Sequence, residues 1–205
     1  MIGMMYLVLT ALLALNVSKE IINAFITIND SLEITVSNLT GKNAQAYAAF
    51  QKQMEVDPKK TEPLFKKAQQ IKKLSDDMGA YLTTLTDELI RKTDKLEANA
   101  KSVTLHEMKA TDDYDIPTHI MCGDKNDGRG HKATELKEKI VAYKKGILNA
   151  LDAGDRPKFE KRLDAMFNTK DPDPKSAEDG KKTWEMANFY HNPIVATDAL
   201  IDANK

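Results

Sequence analysis

From Met1 to Ser18 the chain, MIGMMYLVLTALLALNVS, has no charged side chain, and the first charge is Lys19. At 1.5 Å per helical residue, a stretch of about 18 residues covers most of a bilayer's hydrocarbon core. Nothing later is comparably apolar. A membrane segment over residues 1–20 is therefore predicted, followed by a water-exposed body over 21–205. A cleaved signal peptide fits less well, because no basic region precedes the apolar run and Ala11, Ala14 and Asn16 form no A-x-A site before Lys19. An uncleaved anchor is expected. Charge does not give its orientation, since no Lys or Arg precedes it.

All 30 basic and 31 acidic side chains lie after Ser18, so about a third of the body is ionic. With 6% aromatic residues and few Gly or Pro, this composition favours long, solvated, amphipathic helices over a compact enzyme. The near-zero charge balance gives no pointer to nucleic acid. Cys122 is the chain's one cysteine, which excludes an intramolecular disulfide and suggests a small buried thiol.

The body is expected to be mostly α. Between Met4 and Thr40 there is no Gly or Pro, and Val17, Ile21, Phe25, Ile28, Leu32, Val36 and Leu39 continue one helical stripe past the membrane. This predicts a rod of about 55 Å, with its body portion at about 21–40, a stop near Gly41 and a weak point at Asn29-Asp30-Ser31. A helix over about 42–55 follows, and then one over about 61–96, with Thr61 as N-cap and Pro63 in its first turn. The two long rods match in length and are expected to lie antiparallel. Residues 97–131 lose the period and suggest a small irregular or hairpin insertion. Further helices are expected at about 133–153, 157–167 and 183–203.

Candidate sites are few. His119, Cys122, Asp124, Asp127 and His131 form the best metal-ligand set, but only His119-x-x-Cys122 resembles the close pair of a structural zinc site, and turn chemistry is the expected role. Asp124-x-Asn126-x-Gly128 is out of register for a calcium loop, and neither a Walker loop nor a nucleophile elbow is present. No catalytic residue, cofactor or metal is expected. In the span, Gly3, Tyr6, Thr10, Leu13 and Val17 share one seam, flanked by Ala14 and Asn16, which suits packing against partner helices. Alternatively, Thr10 bonds its own i−4 carbonyl and Tyr6 anchors at the headgroups. The span has no acidic or basic residue, so any proton relay places its titrating group on a partner.

The runs MMYLVLTALLALNVSKEIINAF, YDIPTHIMCG, ELKEKIVAYK and WEMANFYHNP closely resemble the GldM (PorM) family of the type IX secretion and gliding machinery of Bacteroidetes. The resemblance covers nearly the whole chain. It implies a single-pass inner-membrane protein, N-terminus cytoplasmic and body periplasmic, working as a homodimer whose paired membrane helices sit inside a ring of a GldL/PorL-like subunit. That assembly is a motor driven by the proton-motive force. Later domains reach an outer-membrane-associated GldK/GldN-like ring. Family members carry a basic segment before the Met-Met-Tyr run and β-rich domains after the helical one. Both lie outside this chain, so a fragment is expected, and Tyr6 is the polar residue near the motor centre that carries over by position. In this reading Ile21, Phe25, Ile28, Leu32 and Val36 form a stripe that transmits torque. An anchored helical bundle sensing a small ligand is the alternative function; a tethered zinc enzyme would need His119, Cys122 and His131 to converge.

Overall fold

The computed structural model describes residues 19–205 except 98, 99, 101, 176 and 178–180. The membrane-segment expectation falls on residues 1–18, outside the described residues. Among the described residues seven helices run in order: α1 (Lys19–Val56), α2 (Pro58–Thr93), α3 (Asp115–Met121), α4 (Lys132–Ala150), α5 (Arg156–Met166), α6 (Trp184–Phe189) and α7 (Ile194–Asp202). No strand occurs among the described residues, so the mostly α expectation holds and the hairpin alternative within 97–131 does not form. That stretch contains α3 instead.

The separate helices expected at 21–40 and 42–55 are one helix, α1, of 38 residues and about 57 Å. Gly41 does not stop it. A glycine ends a helix when the chain turns left-handed there to satisfy the last carbonyls; otherwise it costs only about 1 kcal/mol against Ala, which a long helix absorbs. The Asn29-Asp30-Ser31 weak point is helical as well. Along the outer side the Thr27, Ser31 and Thr35 hydroxyls donate to the carbonyls of Asn23, Thr27 and Ser31 at 2.9, 2.9 and 2.8 Å. These residues thus satisfy their own polar groups without leaving the helix.

The reversal is made at Asp57. Its side chain accepts from the Lys60 amide at 3.3 Å and caps α2, with Pro58 at a position where a missing N–H costs nothing. Thr61, expected as the cap, is buried in the first turn and its hydroxyl donates back to the Gln53 carbonyl. Residues at nearly matching distances from Asp57 meet across the hairpin: the Tyr47 hydroxyl donates to the Ala68 carbonyl at 2.8 Å, and the Phe50 and Phe65 rings lie tilted with centroids 6.1 Å apart. The two long helices are antiparallel, as their matched lengths suggested.

Helix α4 lies along α2. Lys67 pairs with Asp152, the Ser75 and Tyr143 hydroxyls are 2.9 Å apart, and Leu74 fills the space above Gly146. Between them, Met78, Leu82, Leu85 and Leu89 of α2 bury against Leu136 and Ile140 of α4. The helix expected over 183–203 is two helices. Pro193 removes an amide and disfavours helical backbone at Asn192, and His191 turns to φ 55°, so the chain changes direction between α6 and α7. The turn lets α7 insert against both α1 and α2, where every residue from Ile194 to Ala199 is buried.

A polar clamp fixes α6. Lys137 on α4 reaches Asp171 at 3.0 Å and the fully buried Glu185 at 3.3 Å; Asp171 also accepts from the Trp184 amide, and Thr134 donates to Glu185. Buried carboxylates need such donors, because desolvation without them is costly.

Candidate functional site

Two features of the fold stand out from its packed core: the outer face of α1 and a polar cavity behind it. From Ile21 to Gly41, the charged side chains are Asp30 and Glu33, and both line the cavity on the inner side. The opposite face presents Ile21, Ile28 and Leu39, each about half exposed, beside a strip of hydroxyls from Thr27, Ser31 and Thr35, and Ile34, about two-thirds exposed, stands on the far side of that strip. An uncharged helix face of this length, apolar side chains exposed, is the surface expected of an element that packs against another chain.

The stripe Ile21, Phe25, Ile28, Leu32 and Val36 straddles the two sides of this helix. Phe25, Leu32 and Val36 are half-buried toward the bundle, whereas Ile21 and Ile28 point out. The inward positions are set by Ile22 and Asn29, which the stripe omitted. Gly3, Tyr6, Thr10, Leu13, Asn16 and Val17 lie outside the described residues.

The loop candidates do not converge. His119 Nδ1 meets Asp124 at 3.1 Å on the surface, but Cys122 is buried and its thiol donates to the Glu185 carbonyl at 3.4 Å. Burial, and then the charge of Glu185, pushes that thiol up to about 12. The His131 ring lies over Gly123, so close that a Cβ there would fall 2.1 Å from Nε2. Asp127 accepts from the Arg129 amide and, through its carbonyl, from the Thr183 hydroxyl, which is turn and packing chemistry. Among the described residues no three His, Cys, Asp or Glu side chains come together as a metal site.

Behind α1, a partly open cavity of about 350 Å³ is lined by α1, α2, the segment 102–106 and α7. Asn29, Asp198 and Asp202 are at least 95% buried along it. Burial, reinforced by the neighbouring Asp202, pushes the Asp198 carboxyl up to about 7; the Thr86 hydroxyl and Lys205 offset this only in part. At the rim His106 Nε2 meets Asp30 at 3.0 Å.

A family model, the GldM N-terminal domain, matches residues 20–204. The chain belongs to the GldM N-terminal domain family. Among curated proteins, none matches the sequence. Family membership puts the chain in the gliding and type IX secretion machinery, and the matched span coincides with the helical body that begins at α1.

Within this GldM N-terminal domain, the cavity acids are what sequence reasoning missed. The signal was available: Asp198 and Asp202 sit four residues apart in IVATDALID, a run otherwise free of charge, so a helix buried there must bury both on one side. Among the described residues no helix is long and apolar enough to cross a membrane.

Proposed function

We propose that this GldM N-terminal domain is a force-transmitting, non-enzymatic subunit of an inner-membrane motor. Its uncharged N-terminal stretch spans the membrane, and its body lies in the periplasm. The observation that supports this most directly is the outer face of α1: between Ile21 and Gly41 that face exposes apolar and hydroxyl side chains, the two charges of the stretch, Asp30 and Glu33, standing beside the cavity, on a helix of about 57 Å that begins where the uncharged stretch ends. In this reading a second copy packs on Ile28 and Leu39 and reaches across the hydroxyl strip toward Ile34, and the paired helices continue inward to a ring of a GldL/PorL-like subunit. Proton flow through that ring drives the pair, α1 carries the load outward, and domains beyond the chain engage the GldK/GldN-like ring. A continuous helix suits this role, because its hydrogen bonds run along the axis of load.

Disulfide trapping in the full-length protein tests the pairing. In a Cys122→Ser background, Ile28→Cys is expected to form an intermolecular bond under mild oxidation, and Lys66→Cys, on the projecting end of the hairpin, is not. The paired-helix reading is abandoned if Ile28→Cys stays monomeric. For transmission the best lesion is Ile34→Pro, since Ile34 is exposed and its side chain packs on nothing that the fold needs. Proline there removes a hydrogen bond and clashes with the preceding turn, at about 3 kcal/mol. Secretion and gliding should fail at normal protein levels; their persistence would mean that α1 carries no essential load.

A further inference from the structure

The cavity between α1, α2 and α7 holds two buried acids, Asp198 and Asp202, and one lysine that pairs with the second of them. Asp202 pairs with Lys205 at 2.7 Å, and at the rim Asp30 has His106. Asp198 has no ion-pair partner among the described residues, and its Oδ1 is buried without a hydrogen-bond donor. Glu33 adds to the negative potential that Asp198 feels. Asn29 is 95% buried on the facing helix, and its amide oxygen likewise has no donor. A side-chain carbonyl and a carboxylate oxygen, both buried on the same cavity and both without a protein hydrogen-bond donor, are a costly arrangement unless something else satisfies them.

The geometry points to a binding site in this cavity for a hard divalent cation of the calcium class, held by the Asp198 and Asp202 carboxylates and the Asn29 amide oxygen. Every donor is oxygen, which selects Ca²⁺ or Mg²⁺ over softer metals. With two carboxylates and no third acid close enough to complete a metal group, the rest of the shell comes from water and the nearby Thr86 hydroxyl. Such a site is expected to be weak and to favour Ca²⁺, which accepts irregular oxygen shells, over Mg²⁺, which demands a near-ideal octahedron. Binding joins α7 to α1, so the ion ties the end of the domain to the helix proposed to bear the load. The site itself depends on the packing of α7 and stands whether or not that load-bearing role is correct.

The test uses the whole chain in mild detergent, stripped with EDTA and titrated with CaCl₂ and separately with MgCl₂ by calorimetry. One saturable site per chain is expected for Ca²⁺, with a dissociation constant of about 10⁻⁴ to 10⁻³ M. Millimolar Ca²⁺ should raise the melting temperature by a few degrees, and NaCl at matched ionic strength should not. Asp198→Asn and Asp202→Asn should each weaken Ca²⁺ binding at least tenfold, while Asp76→Asn, on the exposed side of α2, should bind as the parent does. Circular dichroism checks that each variant is folded, and if one is not, the other decides. Absence of a saturable heat with either ion overturns the proposal, as does a melting shift reproduced by NaCl, or unchanged Ca²⁺ binding in a folded Asp198→Asn or Asp202→Asn protein.

Discussion

Replacing Lys137 with Met removes the cation of the α4–α6 clamp while keeping most of the side chain's volume. Glu185 is then left 2% exposed with the Thr134 hydroxyl at 3.3 Å as its remaining side-chain donor. Breaking a buried pair by deleting one partner costs about 3–5 kcal/mol. Two features reduce that here. The Lys137 side chain keeps 21% of its exposure, so part of its charge is solvated in the native state; Asp171 is more exposed and retains Arg129 at 3.2 Å. A loss of about 2–3 kcal/mol is therefore expected, which for a domain of this size lowers the melting temperature by roughly 5–10 °C. Urea unfolding followed by circular dichroism measures it, with Trp184 fluorescence as a local probe, since the indole N–H donates to the Asn168 carbonyl beside the clamp. Glu185→Gln alone should cost less, because Lys137 keeps Asp171. The double variant should be less destabilised than the two single losses combined, with a coupling of about 1–2 kcal/mol. Strict additivity, or a Lys137→Met midpoint indistinguishable from the parent's, would refute the claim that this lysine neutralises a buried acid.

The other predictions concern backbone, cap and pH. Gly123→Ala is expected to lose about 2 kcal/mol or more, because φ is 64° there and the new methyl would overlap the His131 ring; Gly41→Ala, helical with open space around it, should gain about 0.5–1 kcal/mol. Opposite shifts of the melting temperature verify both. Asp57→Ala should cost about 1 kcal/mol by removing the cap of α2, measured the same way. The Trp184 amide, followed by Lys137 and Arg129, holds Asp171 below the usual carboxylate range. Its stabilising contribution is thus present above the unfolded carboxylate value near 4 and is lost as pH falls through the lower folded value. Asp171→Asn should flatten that acid limb in a pH series of urea midpoints, and an unchanged limb would contradict the assignment.

Helix existence was legible in this sequence wherever apolar steps of three and four were long and uninterrupted. The expected 133–153 became Lys132–Ala150, and 157–167 became Arg156–Met166. The departures arise where one residue type is compatible with two local structures or where a breaker interrupts an apolar run. Gly41 looked like a stop, but nothing approaches it and no left-handed turn follows. The C-terminal run reads as one helix because apolar residues stand on both sides of Asn192-Pro193, where the proline breaks it. The candidate site was harder still. On α1, Ile21 and Ile22 are equally apolar, and periodicity does not tell which face meets α7; the structure buries Ile22 to 6% and leaves Ile21 at 50%.

That ambiguity has a physical origin bearing on function. A helix serving one interface shows an apolar stripe and a charged back; α1 shows apolar residues on both sides between Ile21 and Gly41 and confines its charges to Asp30 and Glu33, beside the cavity. Two interfaces at once explain this pattern. The inner one is filled by α2 and α7, and the outer one is the face on which Ile28, Ile34 and Leu39 are exposed. The small hydroxyl residues between them satisfy themselves along the helix, so a neighbouring chain could bury Thr27, Ser31 and Thr35 without stranding a donor. Substituting Lys for Ile28 separates the two sides: the inner packing and the monomer's helicity should be unchanged, while association through the outer face should be lost. If Ile28→Lys instead unfolds the domain, Ile28 belongs to the core and the outer face is not an interface.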